Sequence, residues 1–242
     1  MLESNKVYNE DCLKTMAEIP NESIDTIFAD LPFYQPKQEE IADVKYSGFS
    51  FQDKKNTNYA IWNTKLVEEF YRILKDGGNL VIVNAPKYIY LTMGIYLNKF
   101  VFRSDVPLIR RGSLRPAWSL GFRHNIMVFL CKGDKKLKWY GAVKNHDKTQ
   151  PTDVWDDIPY QNGYRSKGKR WHPEAINYPV VERALKLTTK ENDLIYDPFM
   201  GSGTTAEFAV LNNRNFIGSE MSEKYFEIVE YRIKLAQAKE II

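Results

Sequence analysis

Short apolar runs alternate with longer amphipathic stretches along the chain. Lys6-Val7-Tyr8 reads as a short strand, and Cys12 to Ile19 as a helix with Leu13, Met16 and Ala17 on one side. Ser23 to Ala29, rich in β-branched residues, predicts a strand whose apolar part is Ile24 to Ala29. Leu66 to Leu74 predicts a helix, and Lys75-Asp76-Gly77-Gly78 ends it with the glycines expected past a C-cap. Asn79 to Asn84 reads as a buried strand and Lys87 to Lys99 as a helix. Asn125 to Leu130 is a strand, with Phe100 to Ile109 as its antiparallel neighbour. The C-terminal part predicts helix Val180 to Leu187, strand Leu194-Ile195-Tyr196, helix Ala206 to Leu211, strand Asn215 to Gly218 and helix Ser222 to Lys239. Ser222 is placed to cap that last helix, and Glu223 suits its first turn. The alternation predicts an α/β fold: a doubly wound, mostly parallel sheet with helices on both faces.

Two stretches break the alternation. Tyr34 to Tyr59 is polar and glycine-bearing and directly follows a strand, so residues 34–60 read as a mobile loop, a lid. Gly133 to Lys169 reads as an inserted recognition segment, about 133–170. From Lys132 to Arg170 the chain carries Lys132, Lys135, Lys136, Lys138, Lys144, Lys148, Arg165, Lys167, Lys169 and Arg170 against five aspartates. Trp139, Tyr140, Trp155, Tyr160 and Tyr164 are interleaved. Basic residues attract phosphate and aromatics stack on bases, so this segment fits nucleic acid. It fits equally a solvated surface over partly buried aromatics.

Composition narrows the class further. The 242 residues suffice for a single domain with one sizeable core, and 43% hydrophobic with 27% charged residues is ordinary for a soluble globular protein. No apolar run approaches the roughly 18 residues needed to cross a bilayer. The start, Met1-Leu2-Glu3-Ser4-Asn5-Lys6, carries no signal-peptide pattern. Cys12 and Cys131 are too few for a disulfide scaffold, which points to a reducing cytoplasm. The net charge of +3 says little about partners. His124, His146 and His172 are too scattered for a zinc site, so no metal is expected.

Candidate chemistry sits at strand ends, where ligands bind in open α/β sheets. Asp197-Pro198-Phe199-Met200-Gly201-Ser202-Gly203-Thr204-Thr205 lies between a strand and a helix. Its glycines let a ligand approach the backbone where a Cβ would block it. Glu220, after the next strand, is placed to accept hydrogen bonds from ribose hydroxyls. Gly201-x-Gly203-x-x-Ala206 also fits a relaxed dinucleotide fingerprint, which makes a nicotinamide oxidoreductase the competing enzyme class. Against it, the turn is entered through an acid, and too little chain follows for the rest of a dinucleotide half. No phosphate loop of the Gly-x-x-x-x-Gly-Lys-Ser/Thr type exists, which argues against an NTPase. The second motif is Asp30-Leu31-Pro32-Phe33. The amine of adenine or cytosine is a poor nucleophile because its lone pair is delocalised into the ring. Asp30 and the Leu31 carbonyl could accept both N–H bonds, Pro32 stiffens the turn, and Phe33 could stack on the base. The plainer alternative is that Asp30 caps a turn and Phe33 is core.

Together these motifs resemble the S-adenosylmethionine-dependent DNA amino-methyltransferases. Asp197-Pro198-Phe199-x-Gly201-Ser202-Gly203-Thr204-Thr205 is similar to that family's cofactor motif, and Asp30-Leu31-Pro32-Phe33 to its Asp/Ser/Asn-Pro-Pro-Tyr/Phe catalytic motif. The catalytic motif comes first and the cofactor motif last, which is similar to the circularly permuted β group. Arg72-Ile73-Leu74-Lys75-Asp76-Gly77-Gly78, His172-Pro173 ahead of Pro179, Arg214-x-Phe216-Ile217-Gly218-x-Glu220 and Tyr225 also match. The resemblance covers most of residues 6–131 and 170–235; Gly133 to Lys169 lies outside it. The sequence departs at Leu31, where the family has proline, and at Tyr178-Pro179, where it has Lys-Pro.

The resemblance implies a seven-stranded, Rossmann-like methyltransferase sheet with one antiparallel strand. It implies S-adenosylmethionine as cofactor, lined by Asp30, Asp197, Phe199, Gly201, Ser202, Gly203, Thr204 and Thr205, with Glu220 on the ribose. Asp11 resembles the acid that meets the adenine amine, and Pro179 flanks the methionine end. Double-stranded DNA is the implied substrate, with the target base flipped out. The amine would attack the methyl in line, with Asp30 and the Leu31 carbonyl stabilising charge on nitrogen. Attack at cytosine C5 would need a thiolate, and no Pro-Cys pair exists. Asp at position 30 favours adenine N6 over cytosine N4. The other readings are a cytosine-N4 enzyme, a nicotinamide oxidoreductase and a DNA-binding relative without catalysis, which Leu31 allows. A cognate restriction endonuclease and a homodimer are the further partners that the resemblance admits, with no membrane.

Overall fold

The computed structural model describes residues 2–32, 54–114, 122–133, 139–140, 151–158, 165–166, 169–170 and 176–240. In chain order the elements are β1 (Lys6–Tyr8), α1 (Cys12–Glu18), β2 (Ile24–Asp30), α2 (Lys54–Ile73), β3 (Leu74–Asn84), α3 (Pro86–Leu97), β4 (Val101–Leu114), β5 (Phe122–Cys131), β6 (Arg165–Ser166), β7 (Lys169–Arg170), α4 (Tyr178–Thr188), β8 (Leu194–Asp197), α5 (Thr204–Leu211), β9 (Asn215–Ser219) and α6 (Glu223–Glu240). A seven-stranded sheet has the order β1-β9-β8-β2-β3-β5-β4. β5 runs against both of its neighbours, and the other pairings are parallel. The expected mostly parallel sheet with one antiparallel strand is therefore present, with β4 as the antiparallel partner of β5.

Strand side chains are apolar on both faces, because helices cover both. Ile27, Ala29, Leu80, Ile82, Ile126 and Val128 pack with Met16, Leu66, Phe70 and Tyr96 of α1, α2 and α3. Phe28, Val81, Val83, Met127 and Phe129 pack with Val181, Leu185, Phe208 and Val229 of α4, α5 and α6. Among the described residues no helix is long and apolar enough to cross a membrane.

Three expectations need correcting. Residues 34–60 do not form one loop: α2 begins at Lys54, and Tyr59 and Ala60 are buried in it. The helical period runs Tyr59, Asn63, Leu66, Phe70 and Ile73, all buried. Its polar first turn and the buried Asn63 hid that period from the sequence; Asn63 is satisfied by Tyr59 O at 2.8 Å and Tyr96 Oη at 2.8 Å. Residues 33–53, which hold Phe33, lie outside the described residues.

Second, Lys75-Asp76-Gly77-Gly78 lies within β3 and does not form a cap beyond α2. Ile24 pairs with Leu74 and Thr26 with Asn79, so residues 75–78 bulge from the ladder. The bulge is tied down by Gly77 N–H to Lys132 O at 2.9 Å and Lys132 N–H to Gly78 O at 3.0 Å. A glycine at 77 serves the positive φ of 81°.

Third, part of the basic, aromatic stretch belongs to the body of the fold. Lys132 is buried, with Nζ 2.9 Å from Leu74 O and 3.1 Å from Glu22. Trp139 and Trp155 both pack on Phe129, at 5.4 and 6.3 Å between ring centroids. Arg183 of α4 forms a bidentate pair with Asp157 and lies over Trp155. Tyr160 and Tyr164 lie outside the described residues.

The bulge yields a stability test. A Cβ on Gly78 would lie 2.8 Å from Leu74 Cδ2, 2.9 Å from Lys75 O and 3.0 Å from Asp25 O. Two of those atoms are backbone and cannot rotate away. Gly78→Ala should cost about 1–3 kcal/mol, read as a lowered urea midpoint at unchanged m value.

Candidate active site

From the β2–β8 pair the chain winds outward in opposite directions. β8 leads through α5 to β9 on one side, and β2 leads through α2 to β3 on the other. Thr26 pairs with Ile195 and Ile27 with Tyr196, so the carboxyl ends of these strands start about 4.8 Å apart. Their connections then diverge, and the crevice expected at such a switch point is the usual ligand position in such sheets.

Asp30 ends β2 and is half-buried. Leu31 N–H donates to Val83 O at 3.0 Å, which extends the β2–β3 ladder past Asp30. The Leu31 side chain is buried in the core, so the unusual leucine is an ordinary packing residue. Behind Asp30, Asn84 Nδ2 donates to Tyr59 Oη at 2.7 Å. Burial and the nearby Asp30 charge both push the Tyr59 hydroxyl up, so it stays protonated. Tyr59 also meets the Tyr88 and Trp62 rings at 5.0 and 5.7 Å.

Phe199, at the end of β8, meets Trp62 at 5.7 Å. That contact joins the β8 loop to α2, the helix reached from Asp30. The two sequence motifs, far apart in the chain, therefore follow the carboxyl ends of two neighbouring parallel strands. Phe33 lies outside the described residues, and half-buried Pro32 closes the described part of its motif.

The glycine loop is held by its own groups and by the end of β9. Phe199 N–H donates to Asp197 Oδ1 at 2.9 Å, and Gly201 N–H to Glu220 Oε2 at 2.8 Å. Met200 N–H donates to Ser219 O and Gly203 N–H to Met200 O, both at 2.9 Å. Glu220 also accepts Ser222 N–H on Oε1 at 2.8 Å. Gly201 and Gly203 have φ of 56° and 83°, which favours glycine. A Cβ on Gly201 would meet only Phe199 O, at 3.7 Å, so that face of the turn is open. A Cβ on Gly203 would lie 3.1 Å from Val229 Cγ1, so that face is closed.

Several expected cofactor residues face inward. Asp197, Ser202, Thr204 and Thr205 are buried. Thr205 bonds the Asp197 carboxyl, while Ser202 and Thr204 bond Arg232 of α6. These four shape the loop, and Gly201, Phe199 and Glu220 are its exposed or half-buried members. Asp11 lies beyond β1 on the same rim, where it caps α1 by accepting Leu13 N–H at 2.8 Å. Glu220 N–H bonds Tyr8 O at 3.0 Å, which joins the ends of β1 and β9. Pro179 is exposed in the first turn of α4. The far end of α4 meets the start of the sheet through Thr26 Oγ1 to Thr188 O at 2.9 Å, so its first turn lies toward the crevice rim. His172 and Pro173 lie outside the described residues.

Burial pushes Asp197 up to about 7, with Glu220 adding repulsion, while Thr205 and the Phe199 amide pull it back. Burial also raises Glu220 against its two backbone hydrogen bonds. The sequence reading missed the buried pair Arg232–Glu207. Helix periodicity makes both positions inward, but charge alone reads as surface.

The fold and crevice define a doubly wound α/β protein with an acid-backed glycine loop at its switch point. The DNA methylase family model of the N6/N4 class matches residues 24–231, and the chain belongs to that family. The type II methyltransferase M.BamHI of Bacillus amyloliquefaciens is 32% identical over 255 residues, covering 95% of this chain and 57% of the relative. M.HinfI of Haemophilus influenzae is 29% identical over 253 residues, covering 95% and 68%. The chain thus spans little more than half the length of the first of these relatives. The PvuII DNA methyltransferase, cytosine-N4-specific, superposes with a TM-score of 0.76 at 16% identity, covering 99% of this chain and 93% of that one. M1.HpyAVI in complex with SAM gives 0.65 at 18% identity, covering 94% and 98%.

The buried acid generates a pH test. Between the ordinary carboxylate range and about 7, folded Asp197 holds a proton that the unfolded chain has lost. Stability therefore falls as pH rises through that window. Asp197→Asn is neutral throughout and lacks this term. The unfolding free energy of wild type relative to Asp197→Asn should fall between about pH 4 and about pH 7 in urea titrations and level off above.

Proposed function

We propose that the chain transfers a methyl group from S-adenosylmethionine to the exocyclic N6 of adenine in duplex DNA, with the base flipped into the crevice. What supports this reading is that Asp30 ends β2 and the Glu220-anchored Gly201 loop follows β8, the strand paired in parallel with β2.

The residues present fit the cofactor. The amides of Phe199, Met200, Gly201 and Gly203 are already used within the protein, so these groups form no nest for a pyrophosphate. Asp197 and Glu220 behind the loop would repel one. Family membership sets the nicotinamide reading aside, and this is its physical reason. The same acids suit a ligand with cationic centres and hydroxyls. Each Glu220 oxygen bonds one amide and keeps a lone pair for a ribose hydroxyl. Gly201 leaves room for adenosine, and Asp11 and Pro179 border it on either side.

S-adenosylmethionine supplies an electrophilic methyl on a sulfonium. Asp30 accepts an N–H of the target amine, localises its lone pair and orients it; the Leu31 carbonyl accepts the second. As positive charge grows on nitrogen, the Asp30 carboxylate would stabilise it; the methylated nitrogen then loses one proton, and the spent cofactor leaves as the neutral thioether. Phe33 is the motif residue assigned to the base, and sequence readout is assigned to the basic part of the Gly133–Lys169 segment. Adenine rather than cytosine rests on the aspartate at position 30. On this reading the chain works in the cytoplasm, and a cognate restriction endonuclease is the partner that the type II relatives suggest.

Transfer of labelled methyl to unmodified duplex DNA, followed by nucleoside analysis, tests this directly. N6-methyladenine is expected. N4-methylcytosine would overturn the base assignment, and no product would overturn the activity. Asp30→Ala should lower single-turnover transfer by about 10²–10³-fold while cofactor binding, read by calorimetry, is spared.

A further inference from the structure

The guanidinium of Arg232 lies beneath the glycine loop, 3% exposed. Nη1 donates to Ser202 O at 2.5 Å, to Ser202 Oγ at 3.1 Å and to Thr204 Oγ1 at 3.4 Å. Nη2 donates to Glu207 of α5, itself buried. Val229, one turn earlier on α6, packs against the Gly203 backbone, an approach that a side chain on Gly203 would block. α6 therefore grips the loop at two successive turns, by contact at Gly203 and by hydrogen bonds at Ser202.

Two features indicate that this grip serves more than stability. A buried ion pair is no better for stability than well-packed apolar residues of the same volume, because desolvating two charges offsets their attraction. Yet a charged pair sits here, and its free valences point at the loop. The loop also needs an external hold. Ser202 stands between glycines of positive φ, where backbone preference is weakest. Glu220 fixes the Gly201 amide from the crevice side, and Arg232 fixes the next carbonyl from below.

We propose that Arg232 is a positioning residue for cofactor binding: it holds the Ser202 carbonyl so that Gly201 keeps its open face to the crevice. The inference rests on S-adenosylmethionine as the ligand of this loop. The requirement is for the fork of a guanidinium. A lysine ammonium on a flexible stem can neutralise Glu207 but cannot reach Ser202 O, Thr204 Oγ1 and Glu207 together.

The test is calorimetric titration of the full chain with S-adenosylmethionine, paired with steady-state methyl transfer and thermal melts. The wild type is titrated first; failure to bind would count against the ligand reading and not against Arg232. Arg232→Lys should weaken cofactor affinity by about ten-fold or more and raise KM for cofactor alike. KM for DNA and kcat at saturating cofactor should stay within about three-fold. The double variant Arg232→Met with Glu207→Leu leaves no buried charge unpaired and should melt near the wild type, yet its cofactor affinity should stay low. Recovery of both melting temperature and affinity in the double variant would show that the pair only supports the fold, and would overturn the proposal. Should the double variant fail to fold, wild-type affinity in Arg232→Lys would overturn it alone.

Discussion

The parallel pairing of β2 with β8 is the constraint on which everything else rests. Two hydrogen-bonded registers, Thr26 with Ile195 and Ile27 with Tyr196, join segments that lie far apart in sequence. Each segment then feeds a helix on the opposite face of the sheet. The two connections leave the junction in opposite directions. The acid that ends β2 and the glycine turn that follows β8 both lie at the carboxyl ends of this pair. Trp62 against Phe199 bridges the two sides with aromatic surface.

The character of the crevice follows from how its turn is built. An anion-binding turn leaves its amides free. Here the amides of Phe199, Met200, Gly201 and Gly203 are spent on carboxylates and carbonyls of the chain. The acids that take them are partly desolvated, so Asp197 and Glu220 both lie above the ordinary carboxylate range. The turn thereby keeps a glycine face open with its amides spent, the reverse of a phosphate cradle. Beneath it, Arg232 and Glu207 lock a segment whose own backbone is permissive.

Much of this was legible in the sequence because strands buried on both faces are apolar runs. β2, β3, β8 and β9 were placed within a residue or two at their functional ends, and the acids Asp30, Asp197 and Glu220 fell on the expected rim. What stayed hidden depends on tertiary contact. The first turns of α2 are polar, and only the packing of Tyr59 and Ala60 makes them helix. The glycines at 77 and 78 look like a cap because the local signal of a cap and a bulge is the same; Lys132, distant in sequence, decides between them. Lys132 itself, like Arg232, reads as surface charge until its buried partners are known. Trp139 and Trp155 fit either base stacking or partial burial in the sequence; both pack on Phe129, Trp155 buried and Trp139 partly so. Ser202, Thr204 and Thr205 were read as liners of the cofactor, but their hydroxyls point into the protein.

The shared cavity of Asp30 and Gly201 is open to one direct measurement, a crystal structure of the chain with S-adenosylhomocysteine, the product left after methyl loss. The sulfur should lie between the carboxyl ends of β2 and β8, facing the Asp30 carboxylate, with the ribose hydroxyls on Glu220. A ligand bound on the amino side of the sheet, or with its sulfur turned away from Asp30, would contradict the shared cavity.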